Sequence, residues 1–307
     1  MQLKKVLILV VAAVLLTASA TLACDRLWLA EGAELWLANE EAARLVVADA
    51  QGILHPRWSP EGKLIAYTHS FRFDSKARSE VVVVTQDGRP VQELTIPADS
   101  EVNAVLAVGW RNERHVFIEG HINPSTTKYL EWDVRTGRLV DEKVGSWFTV
   151  SPDGRSVAQR AHVPHGAPKP YDSALLLINE KRVYPATSDE AYHRFVGGFA
   201  WSPDGGRLAM VDQVEGSSKQ VVILNASGEV VLRAPLEKAL TPRELSWSQP
   251  NAIELREDGN VWRFDTSTGR VEPIRDVPLK LKSAEPPGSL RRLVGEAVLQ
   301  AEDVRCP

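Results

Sequence analysis

The sequence predicts an all-β fold built as a radial repeat, a β-propeller, and three observations carry that expectation. A phrase of aromatic or apolar residue, Ser, Pro, acid and Gly recurs along the chain. Its copies are spaced by about the length of one four-stranded unit. Each copy is followed by a second turn signal set in a β-rich run.

The first element is a leader. Met1-Gln2-Leu3-Lys4-Lys5 is a short basic start, Val6 to Leu16 is an apolar run, and small residues follow up to Ala23. That order is the order of a secretory signal peptide, so residues 1–23 are set apart and export to the periplasm or the extracellular space is expected. An uncleaved anchor is the alternative, since residues 6–23 sit at the short end of the roughly 17–25 residues that span a bilayer. Ala18-Ser19-Ala20 offers an ordinary cleavage site, whereas Thr21-Leu22-Ala23-Cys24 resembles a bacterial lipobox. In that second case Cys24 carries lipid and the protein is membrane-tethered. The chain has 2 cysteines, Cys24 and Cys306, one at each end of the mature protein. An even count in an exported chain favours a Cys24–Cys306 disulfide over a lipidated Cys24 with a leftover thiol. Such a bond would close nearly the whole chain and contribute up to ~5 kcal/mol.

Without Lys4 and Lys5 the mature chain keeps 34 basic residues against 40 acidic ones, a net charge of −6. That balance suggests neither nucleic acid nor an anionic membrane surface as a partner.

The repeat follows. Trp58-Ser59-Pro60-Glu61-Gly62 precedes Lys63-Leu64-Ile65-Ala66-Tyr67, and Val150-Ser151-Pro152-Asp153-Gly154 precedes Arg155-Ser156-Val157-Ala158. Trp201-Ser202-Pro203-Asp204-Gly205 is the third clean copy; the phrases at Trp110 and Trp247 are degenerate ones. Pro fixes φ for a tight turn and the Gly after the acid supplies a positive φ, so each phrase is a hairpin between strands a and b. The anchors at 58, 110, 150, 201 and 247 are separated by 52, 40, 51 and 46 residues. The second hairpin, between strands c and d, is read at Asp87-Gly88, Asp133 to Gly137, Asn225 to Gly228 and Asp265 to Gly269.

The Trp-Ser-Pro-Asp-Gly hairpin with its later Asp-x-x-x-Gly turn resembles the TolB-type (WD-repeat-like) propeller repeat, over most of residues 27–275. It is similar also to the repeat in propeller domains of prolyl-oligopeptidase relatives. The chain departs from TolB in having fewer than forty residues between the leader and the first anchor, so the N-terminal α/β domain of true TolB is expected to be lacking. No domain of hydrolase size is expected after the last repeat. The resemblance carries the repeat type and not TolB's partners.

Ahead of Trp58, the runs at Leu27-Trp28-Leu29, Leu35-Trp36-Leu37 and Leu45-Val46-Val47 read as strands of a further blade that the C-terminus completes. Six four-stranded blades are expected over residues 24–285, five being the alternative, in a monomeric ring. Residues 286–307 form a closing segment, in which Leu290, Leu293, Val294, Ala297 and Val298 follow a helical spacing and a closing strand competes with a helix.

In such a blade the loops from b to c, and from each d to the next a, share one face. The b–c loops are long early in the chain, at Ser70 to Glu80, His121 to Lys128 and Ala161 to Ser173, and long loops are disproportionately functional. They hold Arg72, Lys76, Arg78, His165 and Lys169, and the spacing from the anchors brings His69, His121 and His162 out at the same end. These eight residues are the expected binding rim, suited to a protein or an anionic or polar polymer. His162-x-x-His165 lacks the helix and the third ligand of a metal site, so no metal and no cofactor are expected. No nucleophile elbow, zinc helix or phosphate loop is present. The sequence therefore points to a non-catalytic binding scaffold; a propeller lyase or hydrolase acting on an extracellular glycan or peptide is the alternative.

Overall fold

The structure, a computed structural model, describes residues 25–39, 41–69, 80–122, 126–162, 173–186, 188, 191–236, 240–274, 286–294 and 299–305. The leader, Cys24, Cys306, Arg72, Lys76, Arg78, His165 and Lys169 lie outside these residues.

Antiparallel sheets make up most of the described chain. The first joins β1 (Asp25–Ala30), β2 (Glu34–Ala38) and β3 (Ala43–Ala48). The second is β4 (Ile53–Trp58), β5 (Leu64–His69), β6 (Glu80–Thr85) and β7 (Pro90–Thr95). A seven-stranded sheet follows: β8 (Ala104–Asn112), β9 (His115–Ile122), β10 (Thr126–Asp133), β11 (Arg138–Val150), β12 (Val157–His162), β13 (Ala174–Ile178) and β14 (Lys181–Tyr184). The next sheet is β15 (His193–Trp201), β16 (Arg207–Val214), β17 (Lys219–Asn225) and β18 (Val230–Pro235). The last contains β19 (Glu244–Gln249), β20 (Ala252–Glu257), β21 (Asn260–Asp265) and β22 (Val271–Pro273). A short helix α1 (Gly288–Val294) leads to β23 (Leu299–Arg305), which pairs with β1 and so brings the chain's two ends into one sheet. Helix and strand thus both occur in the closing segment.

The seven-stranded sheet has a local cause. The first half of β11 pairs with β10, from Arg138 to Gly145, and its second half pairs with β12, from Ser146 to Val150. One strand is therefore the outer strand of one four-stranded unit and the inner strand of the next. The loop that elsewhere joins two units is absent here, which is why the 110-to-150 spacing is the shortest in the repeat.

The strands of the inner sheets are apolar on both faces because each of these sheets lies between two others. In β6, Val82 and Val84 pack toward the first sheet with Leu27, Leu35 and Ile65, while Val81 and Val83 pack toward β8 and β9 with Val108, Val116 and Ile118. In β16, Leu208 and Met210 face the seven-stranded sheet, and Ala209 and Val211 face the last sheet. This is the two-residue period of a strand serving two cores at once. The other side of the first sheet, with Trp28, Trp36 and Ala38, is covered by Leu290 and Val294 of α1.

The phrase itself is explained at atomic level. Ser59, Ser151 and Ser202 are buried, and their hydroxyls accept the backbone N–H of Leu64, Ser156 and Arg207 across the turn. The Ser151 and Ser202 hydroxyls in turn donate to the carboxylates of Asp153 and Asp204. The anchor indoles reach sideways: Trp110 Nε1 donates to Arg57 O at 3.1 Å, Trp201 Nε1 to Thr149 O at 3.4 Å, and Trp247 Nε1 to Ala200 O at 2.9 Å. In each case the acceptor is the residue just before the preceding anchor. The tryptophans therefore tie consecutive inner strands together.

Candidate functional site

Three of the rim residues expected from sequence are described, and each sits at the end of a strand on the long-loop face. His69 ends β5, and its Nε2 lies 2.8 Å from Asp49 Oδ2, which also accepts a hydrogen bond from Tyr67 at 3.2 Å. His121 near the end of β9 places Nδ1 2.8 Å from Asn103 Oδ1. Asp49 and Asn103 occupy the connections that enter β4 and β8, so both histidines fasten a connection to the strand beside it. His162 is exposed at the end of β12.

The same face holds a feature that the repeat did not announce. A cleft of about 950 Å³ opens between the second half of the seven-stranded sheet and the two sheets that follow. Its floor comes from bulges in the inner strands. In β11 the register slips between Ser146 and Thr149, and Trp147 adopts a φ of +57°. A bulky residue in the left-handed region is strained, and here Glu119 holds it, accepting the Trp147 N–H at 3.1 Å while also accepting from the Thr127 hydroxyl. In β15 the register slips between Val196 and Phe199, leaving Gly197 and Gly198 outside the ladder with φ of +78° and +85°. A side chain at Gly197 would meet Pro242 O at 2.5 Å, whereas one at Gly198 would meet nothing within 4 Å. Gly197 is a packing glycine, and Gly198 faces open space.

Aromatic rings and cations line the walls. Trp147 stands edge-on to Phe199 at 5.9 Å, and Phe199 is edge-on to Phe195 at 5.7 Å. The Arg160 guanidinium lies over the Trp147 ring, 4.6 Å from its centroid. Arg194, Gln213 and Lys219 are directly opposite one another on β15, β16 and β17, so they form a row across the rim. Lys219 Nζ donates to Thr241 Oγ1 at 3.0 Å. Among the described residues two carboxylates line the cleft, and both are engaged: Glu257 accepts the Thr241 N–H at 2.9 Å, and Asp258 pairs with Arg243 at 2.9 Å. Arrayed donors beside fixed rings can hold an anionic group and an apolar surface together.

A second polar cluster lies behind the cleft. His193 Nδ1 is 2.8 Å from Asp212 Oδ2, the Tyr184 hydroxyl donates to the same oxygen at 2.7 Å, and both His193 and Asp212 are buried. It ties β14, β15 and β16 and supports the Phe195 side of the cleft. Among the described residues no group of three or more His, Cys, Asp and Glu is placed to hold a metal ion.

The Gly197-Gly198 doublet was the available signal for this site. Paired glycines inside a strand pattern mark a bulge or a close approach. Arg160, Arg194 and Lys219 stand in different repeats, and only the fold brings them together.

No protein-family model and no curated protein matches the chain. Solved structures do. The β-propeller domain of the Trilobed protease from Pyrococcus furiosus superposes with a TM-score of 0.53 at 18% identity, covering 78% of this chain and 74% of that one. A puromycin-hydrolyzing peptidase of Mycobacterium tuberculosis gives 0.54 at 17% identity, over 80% of this chain and 43% of the peptidase. TolB from Acinetobacter baumannii gives 0.43 at 17% identity, over 82% of this chain and 64% of TolB. The chain thus spans less than half of the peptidase and under two thirds of TolB. The likeness is one of fold, and the fold is a β-propeller.

Proposed function

We propose that this is an exported β-propeller of six four-stranded blades that works as a non-catalytic binding scaffold, docking a protein or polymer partner in the periplasm or outside the cell. The cleft on the long-loop face carries the reading. Its rings pack against the core, and among its described lining residues cations outnumber acids, with Glu257 and Asp258 both engaged in structural bonds. Six blades follow when the seven-stranded sheet is divided at β11, whose two halves pair with different neighbours.

Export rests on the leader at residues 1–23, and closure on the register of the first sheet. Its outermost rung pairs Asp25 with Arg305, and Cys24 and Cys306 are the next residues in each direction. Both cysteines lie outside the described residues, and their disulfide is proposed from that neighbouring rung and the even cysteine count. Lipid at Cys24 is the competing fate.

Arg72, Lys76, Arg78, His165 and Lys169 lie outside the described residues; their part in the same binding face is proposed from the sequence, as the expected b–c loops. The test is partner capture from the native envelope fraction with three proteins: wild type, a cleft variant (Arg194→Glu with Lys219→Glu) and a rim variant (Arg72→Glu, Arg78→Glu, Lys169→Glu). A partner held by wild type and lost by the cleft variant supports the reading. Equal capture by all three moves the site to another face.

A further inference from the structure

We propose that the cleft takes an anionic saccharide, a segment of a carboxylated sugar polymer, with its apolar side along the wall lined by Trp147 and Phe199 and its carboxylates on Arg194 and Lys219. This rests on the reading of the long-loop face as the binding face, and it names the ligand class.

The cations are arranged for a repeating anion. Arg194 and Lys219 flank Gln213 across three adjacent strands, which sets them two strand spacings, roughly 10 Å, apart along the rim. Arg194 is exposed and has no ion-pair or hydrogen-bond partner among the described residues. The Lys219 ammonium is bonded to a neutral hydroxyl. A single small anion would engage one of them; a chain bearing acids at intervals engages both, with the Gln213 amide between.

The rings suit flat, rigid units. Glu119 holds the Trp147 backbone and Arg160 covers one face of its ring, while Trp147 and Phe199 pack against the core, so the apolar wall is set before a ligand arrives. Sugars present an apolar C–H face and a polar edge, which match a ring wall beside a row of donors.

The backbone argues against an extended peptide. A peptide commonly joins such a fold by adding a strand to a free edge. β15 is the edge strand bordering the cleft, and its bulge at Gly197 and Gly198 interrupts the ladder there, a device that blocks strand addition. Recognition therefore falls to side chains. The open side of Gly198 leaves room for a bulky group close to the backbone.

Titration calorimetry on the full mature protein tests the assignment, with the galacturonate hexamer as probe and the neutral glucose hexamer and hexaglutamate as comparisons. The galacturonate hexamer is expected to bind, more weakly as salt is raised, and to lose at least about tenfold in affinity in the Arg194→Gln, Lys219→Gln protein. Gly198→Asn, which tolerates the left-handed backbone, is expected to keep the unfolding midpoint near wild type and to block the probe. Equal binding of the neutral hexamer, equal binding of hexaglutamate, or no binding of galacturonate each overturns the proposal. If galacturonate fails while partner capture still depends on Arg194 and Lys219, the ligand class is wrong and the scaffold reading stands. If capture is also indifferent to them, both fall.

Discussion

Glycine at position 88 governs how closely two sheets approach. Its φ is +79°, and a Cβ there would stand 1.8 Å from the carbonyl oxygen of Val46 in the first sheet. Gly32 has a similar φ of +71° but nothing within 4 Å. Gly32→Ala should therefore cost only the backbone strain, about 1–2 kcal/mol, whereas Gly88→Ala should cost clearly more, on the order of 3 kcal/mol. Urea unfolding of both variants checks the difference, and equal costs would mean that the turn can move away from Val46. Trp247→Phe removes a 2.9 Å bond to Ala200 O and leaves a smaller ring under Arg207. A loss of about 1–2 kcal/mol is expected from the same measurement.

At the scale of the element, the Ser-Pro-Asp-Gly hairpin is a self-sufficient unit. Hydrogen bonds from Ser151 and Ser202 hold the carboxyls of Asp153 and Asp204 below the ordinary aspartate range, and Ser267 does the same for Asp265 in the second turn of the last repeat. Folding thus favours their ionised forms. The resulting stabilisation is fully present above the unfolded pKa and is lost as pH falls through the lower folded values. Thermal midpoints are expected to hold near neutrality and to drop below about pH 4. Asp204→Asn should lower the midpoint at pH 7 and flatten the acid limb; an unchanged limb would place the acid sensitivity elsewhere. This self-sufficiency is also why the hairpins were legible in the sequence. Pro60, Gly62 and Ser59 act on one another within five residues. The continuity of β11 was not legible, because pairing alone decides that Gly145 and Ser146 face different partners. Nor were the partners of His69 and His121: the end of strand b was placed correctly, but Asp49 and Asn103 stand 20 and 18 residues away. The cleft draws on three repeats, so its residues share no local pattern, and only the Gly197-Gly198 doublet hinted at it.

At the scale of the molecule, two ends and one face matter. β23 closes onto β1, and a Cys24–Cys306 bond would lock that closure. The intact mass of the mature protein should fall by two hydrogens relative to the reduced form; an added diacylglyceryl mass would instead establish the tether. The face matters more for function. Fixed rings, a cationic row and an interrupted strand edge meet in one cleft, and the central claim is that the partner docks there. Amide hydrogen exchange on the protein with its captured partner bound tests that claim most directly. Added protection is expected at residues 194–199, 213–219 and 241–243. Protection confined to the opposite hairpins, at residues 60–62, 152–155 and 203–206, with the cleft unchanged, would contradict it.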